Sequence, residues 1–284
     1  MIRLSVKSDY NGLITLWQEA FGDCEEAIRM FLDSRYIADN TVVAEENGRI
    51  VSMLFLLEGK FRIKGRLYSS YYLYAAATAK SERGRGIMSE LLAFAKQTAF
   101  DRGVDFICLK PAEESLYGYY SRFGYKAVFA TKTVTIKCSD NRNSDTHISL
   151  TESQIDLEKA RNSSFSETDA FLWDNSAIDY AIKQHRYYDG ELLKSCKGYC
   201  LYSVDDNKCS VKELGFTSDC LNRIISFLSF NNTFSEITVD LPIDYDCSGY
   251  DETVRDNGMA LAVTESAESV IDNLKNAYLN LTLD

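Results

Sequence analysis

Arginine and glycine alternate in the short segment Arg83–Gly86, which interrupts the sequence YAAATAKSERGRGIMSE between Tyr74 and Glu90. Apolar residues follow it at helical spacing, which predicts an amphipathic helix that begins near Ile87 and has one apolar face of Ile87, Leu91, Leu92, Ala95 and Ala99. Glycines directly before a helix leave its first backbone N–H groups open to a ligand, and the helix dipole adds partial positive charge there. A strand, a glycine-rich turn and a helix N-terminus in this order are typical of a phosphate-binding site.

Two nucleotide-binding motifs do not fit this segment. No Lys-Ser or Lys-Thr follows the glycines, as a Walker A loop requires, and the GxGxxG spacing of a dinucleotide-binding fold is missing. The remaining pattern is Arg-x-x-Gly-x-Met, from Arg83 to Met88. It resembles the Arg/Gln-x-x-Gly-x-Gly/Ala loop with which the GNAT superfamily of N-acetyltransferases holds the pyrophosphate of acetyl-CoA. Met88 departs from the small residue of the family. A larger side chain is tolerable there if it points into the core, and otherwise it would narrow the loop.

A second segment of the chain strengthens this resemblance. Val104–Leu109 has the composition of a short buried strand, and it is followed by the segment Pro111–Tyr125, of sequence PAEESLYGYYSRFGY. This segment resembles the second signature of the family, a helix that ends in Tyr-x-x-x-Gly-Phe/Tyr, with Tyr120 at the tyrosine position. Two family motifs in the right order predict an acetyltransferase domain over residues 1–137.

The resemblance implies acetyl-CoA as cofactor and assigns its ligands. The strand before the loop would hold the pantetheine chain and the loop would hold the phosphates. The expected cofactor-binding residues are therefore Ala76, Ala77, Thr78, Arg83, Gly84, Arg85, Gly86, Ile87 and Met88.

The same resemblance makes Tyr120 the general acid that protonates the leaving thiolate. A phenol with a pKa of about 10 is a credible donor for this step, although a buried tyrosine of purely structural importance would look the same in sequence. Glu113 and Glu114 are the candidate general bases, with solvated carboxylates at a helix start as the alternative. Asp23, Glu25 and Glu26 could instead line the acceptor groove, or water could relay the proton to a carboxylate.

The order of predicted elements agrees with this family. A first strand precedes two helices, and Asn-Gly at 47–48 predicts a hairpin. A further strand pair, the helix after the loop, a strand and a last helix then follow. We therefore expect an α/β (α+β) fold in which helices flank a central mixed, mostly antiparallel sheet.

The character of the chain changes near Lys137. Residues 138–147 are polar and aperiodic and predict a linker. Residues 1–138 contain 19 Lys and Arg against 16 Asp and Glu, for a net charge of +3, whereas residues 139–284 contain 12 against 26, for −14. An acidic half argues against nucleic acid as a partner and could attract cationic amines, or it could simply be a solvated surface.

Residues 148–284 predict a second domain that repeats part of the first. Strands at 198–204 and 209–214 precede a helix at 219–230 and a strand at 237–241, but no Arg-x-x-Gly-x-Gly comes before this helix. We interpret this region as a degenerate GNAT-like domain that does not bind CoA. The tandem resembles the enhanced-intracellular-survival acetyltransferases, although the chain is too short for all of their sterol-carrier-like domain. The final residues, 278–284, predict an edge strand.

Composition restricts the remaining classes of function. The eight cysteines and two histidines show no zinc-ligand spacing, so we expect no metal and reduced thiols, and a Ser/His or Cys/His hydrolase is poorly supported. No apolar run is long enough to cross a membrane, and the N-terminus lacks a signal-peptide core. These features predict a cytoplasmic protein that binds neither membrane nor nucleic acid.

The sequence therefore predicts an acetyl-CoA-dependent N-acetyltransferase that acetylates a primary amine by direct attack. The acceptor would be a small molecule or a peptide. The alternative is a non-catalytic acyl-CoA-binding protein with a regulatory or interaction role. The sequence does not indicate an oligomeric state.

Overall fold

The structure is a computed structural model that describes residues 1–138, 156–195, 198–216, 228, 234–247 and 249–282. It divides into two compact units. The first unit contains Met1–Phe61, Leu67–Ala127 and Gly258–Leu274, and the second contains Arg62–Arg66, Val128–Asn257 and Lys275–Asp284. The described strands and helices are, in chain order, β1 (Ile2–Leu4), α1 (Tyr10–Phe21), α2 (Glu25–Arg35), β2 (Thr41–Glu46), β3 (Arg49–Ile63), β4 (Arg66–Thr78), α3 (Ile87–Asp101), β5 (Phe106–Leu109), α4 (Ser115–Ser121), β6 (Lys126–Lys137), α5 (Leu157–Ser164), β7 (Ala170–Leu172), α6 (Asn175–Tyr187), β8 (Glu191–Ser195), β9 (Gly198–Asp205), β10 (Lys208–Phe216), β11 (Glu236–Leu241), β12 (Asp251–Ala262) and α7 (Glu265–Ile271).

The sheet of the first unit runs in the order β1-β2-β3-β4-β5-β12. Strand β4 pairs with β5 in parallel, whereas the pairs β1/β2, β2/β3 and β5/β12 are antiparallel. This is the mixed, mostly antiparallel sheet that the sequence predicts. Its helices pack on it through apolar faces, and the predicted face of α3 is buried throughout at Ile87, Leu91, Leu92, Ala95 and Ala99.

The turns of the first unit form where the residue types predict them. Asn47 and Gly48 both have positive φ, 51° and 76°, in the connection between β2 and β3. Two successive left-handed residues match the right-handed twist of a two-residue hairpin, and Asn and Gly adopt that conformation most readily. The Asn-Gly hairpin is thus confirmed.

Strand β12 and helix α7 are the main departures from the sequence-based description. Residues Met259–Ala262 pair with Leu109–Phe106 of β5, so this stretch belongs to the first unit and not to a separate second domain. The carboxylate of Asp105 secures the connection, because one oxygen accepts hydrogen bonds from the hydroxyls of Thr264 (2.7 Å) and Ser266 (2.8 Å). The predicted boundary after residue 137 therefore differs from the observed division, in which the first unit consists of three separate segments and the last of them follows residue 257.

The sheet of the second unit runs in the order β6-β11-β10-β9-β8. Strands β9 and β10 form an antiparallel hairpin, and residues 208–211 of β10 then pair in parallel with residues 236–239 of β11. The same hairpin-then-parallel arrangement occurs at β3, β4 and β5, which fits the predicted partial repeat. The predicted linker at 138–147 and the helix at 219–230 lie outside the described residues except for Cys138 and Leu228, and Leu228 is fully buried.

The core of the second unit contains an ion pair. The Nε atom of Arg161 lies 3.0 Å from a carboxylate oxygen of Glu213, and both side chains have no solvent exposure. Residues 277–282 are also buried, with single β-bridges from Ala277 to Phe129 and from Tyr278 to Ala170. The predicted C-terminal edge strand is therefore wrong for these residues: they lie in the core without forming a regular strand. The last two residues, 283–284, lie outside the described residues.

Candidate functional site

Strand β4 changes conformation just before the arginine-glycine loop. Ala75 has φ of +48°, in the left-handed region that β-carbon sterics disfavour by about 1–2 kcal/mol. The parallel register with β5 covers only Ser70–Tyr72, so it ends before this residue. A left-handed residue inside a strand re-aims the backbone that follows, and such strain is concentrated at functional sites.

The predicted pantetheine segment, Ala76 to Thr78, follows this bend. The hydroxyl of Ser52 on β3 donates a hydrogen bond to the carbonyl of Ala77 (2.8 Å) and lies 2.9 Å from the hydroxyl of Thr78. Ala77 is buried, whereas Ala76 and Thr78 are half-buried. The segment is fixed on its β3 side, so the neighbouring strand holds the backbone in position for a ligand.

The loop that follows is anchored at several points. The backbone N–H of Ala79 donates to the carbonyl of Val51 (2.8 Å), and that of Lys80 donates to the carboxylate of Glu19 on α1 (2.7 Å). The Nε of Arg83 donates to the carbonyl of Thr78 (3.1 Å). These bonds hold the loop between β4 and α3 in one conformation before any ligand binds.

Glycines create an open surface at the start of α3. Gly84 and Gly86 have φ of +79° and +82°, and Gly86 is the N-terminal flanking residue of the helix. Among the described residues, a β-carbon at either position would meet no atom within 4 Å, and no side chain caps the helix. The first N–H groups of α3 therefore face open space at the positive end of the helix dipole. This arrangement suits an anion such as a phosphate.

The two arginines of the loop have different surroundings. Arg85 makes a two-pronged ion pair with Glu46, with N–O distances of 2.9 Å and 3.0 Å, and also pairs with Glu82. The hydrogen bonds that it donates to Glu46 and Glu82 raise the pKa of the exposed Arg85 guanidinium. Arg83 is exposed and makes only its bond to Thr78 among the described residues.

Ile87 and Met88 begin α3 and turn toward the protein interior. Ile87 is buried in the core of the first unit, and half-buried Met88 packs against the same core. The loop therefore accommodates methionine where the family has a small residue, because the side chain does not occupy the open face.

Tyr120 lies in this same core. It is 9% exposed, and its ring makes edge-on contacts with Tyr119 and Tyr125 at centroid distances of 5.3 Å and 5.6 Å. None of the described residues forms a hydrogen bond with its hydroxyl group. Burial, and to a smaller extent Tyr119, raises the pKa of Tyr120 to about 12, so the phenol keeps its proton at neutral pH.

Gly124 shapes the turn that brings Tyr125 back onto Tyr120. Its φ is +88°, and a β-carbon there would lie 3.3 Å from a methyl group of Leu261 on β12. Both the conformation and the close approach favour glycine. Sequence analysis finds the glycine by its motif but misses the strand that crowds it.

Glu113 and Glu114, the predicted bases, lie at the start of α4 and are exposed. Glu113 accepts a 3.4 Å hydrogen bond from the hydroxyl of Ser115, and no contact with Tyr120 occurs among the described residues. The structure thus does not bring these carboxylates to the tyrosine hydroxyl. Any proton transfer to them would pass through water.

An aromatic cluster beside β4 was missed by the sequence analysis. The ring of Trp17 on α1 lies 5.8 Å from that of Tyr74 and 5.0 Å from that of Phe31, and Tyr74 directly precedes the bend at Ala75. The indole N–H of Trp17 donates to one oxygen of Asp23 (2.8 Å). Asp23, in the connection between α1 and α2, is half-buried, whereas Glu25 and Glu26 are exposed.

These features fit the cofactor that the sequence predicts. The glycine surface and the uncapped helix N-terminus suit a pyrophosphate, and the bend of β4 leads to that surface. Among the described residues, no three or more His, Cys, Asp or Glu side chains are grouped so that they could hold a metal ion. None of the described helices is long and apolar enough to span a membrane.

Comparison with known proteins agrees with this description. Residues 1–128 match the family of the acetyltransferase (GNAT) domain. No curated protein matches the sequence. The match to this family therefore covers 128 of the 284 residues of the chain, at its N-terminal end.

Solved structures share the fold over most of the chain. A GCN5-related N-acetyltransferase from Anabaena variabilis superimposes with a TM-score of 0.75 at 15% identity, over 93% of this chain and 73% of its own. A GCN5-related N-acetyltransferase from Kribbella flavida gives 0.73 at 14%, over 93% and 72%. Eis1 from Mycobacterium abscessus gives 0.67 at 14%, over 93% and 74%. At these identities the similarity establishes the GNAT fold.

Proposed function

We propose that this protein is an acetyl-CoA-dependent N-acetyltransferase that transfers the acetyl group to a primary amine by direct attack. The observation that carries the proposal is the pair of left-handed glycines, Gly84 and Gly86, in front of an uncapped helix N-terminus within an acetyltransferase domain. The acceptor would be a small molecule or a peptide.

The cofactor would lie along β4 and the loop. The N–H groups of Ile87 and Met88, with the guanidinium of Arg83, would bind its pyrophosphate, and the backbone at Ala76–Thr78 would position the pantetheine chain. Acetyl-CoA supplies an activated thioester and a thiol leaving group. The contribution of the protein is to bind, orient and exchange protons around them.

Tyr120 would stabilise the leaving sulfur by donating a hydrogen bond from its hydroxyl. With a pKa near 12 against about 8.5 for an ordinary thiol, complete proton transfer is uphill by about 5 kcal/mol. A neutral donor aimed at a developing anion lowers the barrier without completing the transfer. Burial of Tyr120 thus favours hydrogen bonding over full protonation as its role.

The acceptor amine must be neutral when it attacks. Asp23 offers the half-buried carboxylate of the α1–α2 connection, and its second oxygen accepts no hydrogen bond from the described residues. Glu113 and Glu114 remain candidate bases through water. The aromatic rings of Trp17 and Tyr74 would supply an apolar wall, and a cation beside them would gain from the ring faces.

Replacement of Tyr120 by Phe tests the proposed chemistry. The ring keeps its packing, and no hydrogen bond to a described residue is lost, so folding stability should change little. We expect kcat to fall by about 10²-fold or more, with the Kd of acetyl-CoA changed less than twofold. Tyr119→Phe is the matched control, because Tyr119 touches Tyr120 on the same helix, and it should retain activity.

Exposed Glu113 and Glu114 favour the alternative, a non-catalytic acyl-CoA-binding protein, because no carboxylate of the described residues forms a hydrogen bond with the tyrosine hydroxyl. A panel of aliphatic, aromatic and peptide amines separates the two functions. Tight acetyl-CoA binding without CoA release for any amine would identify the binding protein. Release with the wild type, and its loss in Tyr120→Phe, would identify the enzyme.

A further inference from the structure

Arg85 is held by two carboxylates from different parts of the chain. Glu46 ends β2, 39 residues earlier, and binds both terminal nitrogens of the guanidinium. Glu82 lies three residues before Arg85 in the loop and binds one of them. The side chain of Arg85 is half exposed, and those of Glu46 and Glu82 are 35% and 22% exposed. The three residues form what we call the Arg85 clasp.

A second connection joins the same elements. Glu19 on α1 accepts a hydrogen bond from the N–H of Lys80 through one oxygen and pairs with Arg49 through the other, both at 2.7 Å. Arg49 begins β3, directly after the Asn47–Gly48 turn. The β2–β3 hairpin is thus joined to the loop by the Arg85 clasp, and through Glu19 it shares an anchor with the loop on α1.

Arg83 differs from Arg85 in its hydrogen-bond partners. It meets no carboxylate among the described residues, and its one bond leaves the two terminal nitrogens available. A phosphate can therefore reach Arg83 without displacing a partner. The same phosphate could reach Arg85 only by replacing two carboxylates, one of which binds in the planar two-pronged geometry that guanidinium prefers.

We propose that Arg85 is a positioning residue rather than a phosphate ligand. It fixes the glycine loop to the β2–β3 hairpin, while Arg83 is the cation that binds phosphate. This inference rests on acetyl-CoA binding as proposed above for the cofactor, but the clasp itself belongs to the ligand-free protein. It revises the expected cofactor contact of Arg85 and adds Glu46 and Glu82 to the residues that determine cofactor affinity.

The proposal predicts that Glu46 increases the affinity for acetyl-CoA. If Arg85 bound phosphate directly, Glu46 would compete for it, and Glu46→Gln would tighten the binding of acetyl-CoA. If Arg85 positions the loop, Glu46→Gln should weaken binding as Arg85→Met does. The two interpretations therefore predict opposite signs for one variant.

The experiment compares Arg83→Met, Arg85→Met, Glu46→Gln and the Arg85→Met/Glu46→Gln double variant in the full chain by calorimetric titration with acetyl-CoA. Arg29→Met is the matched control, because it removes an exposed ion pair with Glu25 on α2. We expect Arg85→Met and Glu46→Gln each to raise the Kd about three- to fivefold, the scale of one exposed ion pair, without adding in the double variant. Arg83→Met should raise it about tenfold or more and reduce its salt dependence.

Amide hydrogen exchange of the ligand-free protein tests independently whether the Arg85 clasp holds the loop. Arg85→Met and Glu46→Gln should speed exchange at the loop amides of Lys80 and Glu82 and at the Glu90 amide in the first turn of α3, and the control should not. Unchanged exchange in both variants would overturn the clasp. Tighter acetyl-CoA binding by Glu46→Gln, or an equal loss of affinity and salt dependence in Arg85→Met and Arg83→Met, would overturn it as well. Failure of the wild type to bind acetyl-CoA would instead remove the proposed function, and exchange would still decide the clasp.

Discussion

Gly86 offers a perturbation that separates ligand binding from folding. Its φ of +82° is disfavoured for every residue with a β-carbon, yet the space around it is open. Gly103 follows the other end of the same helix with φ of +66° and equally open space. Alanine at either position should introduce similar strain, but only the alanine at position 86 would stand where an anion approaches the first N–H groups of α3.

The structure sets the size of the expected losses in folding stability and in acetyl-CoA affinity. Left-handed alanine costs about 1–2 kcal/mol, part of which is offset because alanine also restricts the unfolded chain. We therefore expect each variant to lose about 1 kcal/mol of unfolding free energy, which lowers Tm by about 2–4 °C for a domain of 150–250 residues. Loss of one charge-assisted hydrogen bond to the ligand, about 1.5–3 kcal/mol, should raise the Kd of acetyl-CoA about 10- to 100-fold in Gly86→Ala alone.

Thermal unfolding and calorimetric titration of the two variants provide the assay. A normal Kd for Gly103→Ala confirms that helix strain by itself does not weaken binding. If Gly86→Ala bound acetyl-CoA as tightly as the wild type, the ligand would not approach this helix N-terminus. An equal loss in both variants would show that helix stability, and not access, controls affinity.

Three further predictions concern other parts of the chain. Burial by itself would raise the pKa of Asp105, but hydrogen bonds from neighbouring hydroxyls lower it below its usual value. The stabilising contribution of Asp105 should therefore be complete above pH of about 4 and be lost as the pH falls through the lower pKa of the folded state. Asp105→Asn should lower the free energy of unfolding by about 1–3 kcal/mol at pH 7, as measured by denaturant titration. An unchanged free energy of unfolding would contradict this assignment. Arg161→Met should destabilise the protein by about 3–5 kcal/mol because it leaves Glu213 buried without its partner, and the additional change Glu213→Leu should recover much of that loss. Trp17→Phe removes the N–H that donates a hydrogen bond to Asp23. It should raise the acceptor KM about two- to tenfold while the acetyl-CoA KM stays unchanged. A rise in both KM values would place Asp23 away from the acceptor.

The features of the first unit that could be predicted from sequence are those set by local chemistry. The face of α3 follows from the spacing of Ile87, Leu91 and Ala95, and all three are buried. The hairpin turn follows from Asn47-Gly48 because few residue pairs adopt two left-handed conformations in succession. The glycine loop could be predicted for the same reason, because the phosphate binding proposed for it depends on backbone conformation.

Strand β12 could not be predicted because its sequence contradicts its position. Its first six residues are polar or exposed, and Asn257-Gly258 is a strong turn signal inside the strand. The structure keeps the strand continuous there, with the side-chain amide of Asn257 donating to the carbonyl of Leu279 (2.5 Å). This is a long-range contact, and local patterns carry no information about it.

The glycine positions of the site could be predicted from the sequence, but the partners of its charged side chains could not. Arg83 and Arg85 look equivalent in sequence, and only the fold brings Glu46 to one of them. The left-handed Ala75 was also beyond prediction, because alanine gives no local signal for that conformation. The position of Asp23 depends on Trp17, which is six residues earlier and at the far side of a helix end.

Titration of the wild-type protein with acetyl-CoA tests the central claim most directly. The claim is that the glycine loop in front of α3, in the region that matches the acetyltransferase (GNAT) family, binds this cofactor. It predicts saturable one-to-one binding with a Kd in the micromolar range, about −8 kcal/mol at 1 μM. Absence of measurable heat with acetyl-CoA up to about 1 mM, where binding would be worth only about −4 kcal/mol, would contradict it.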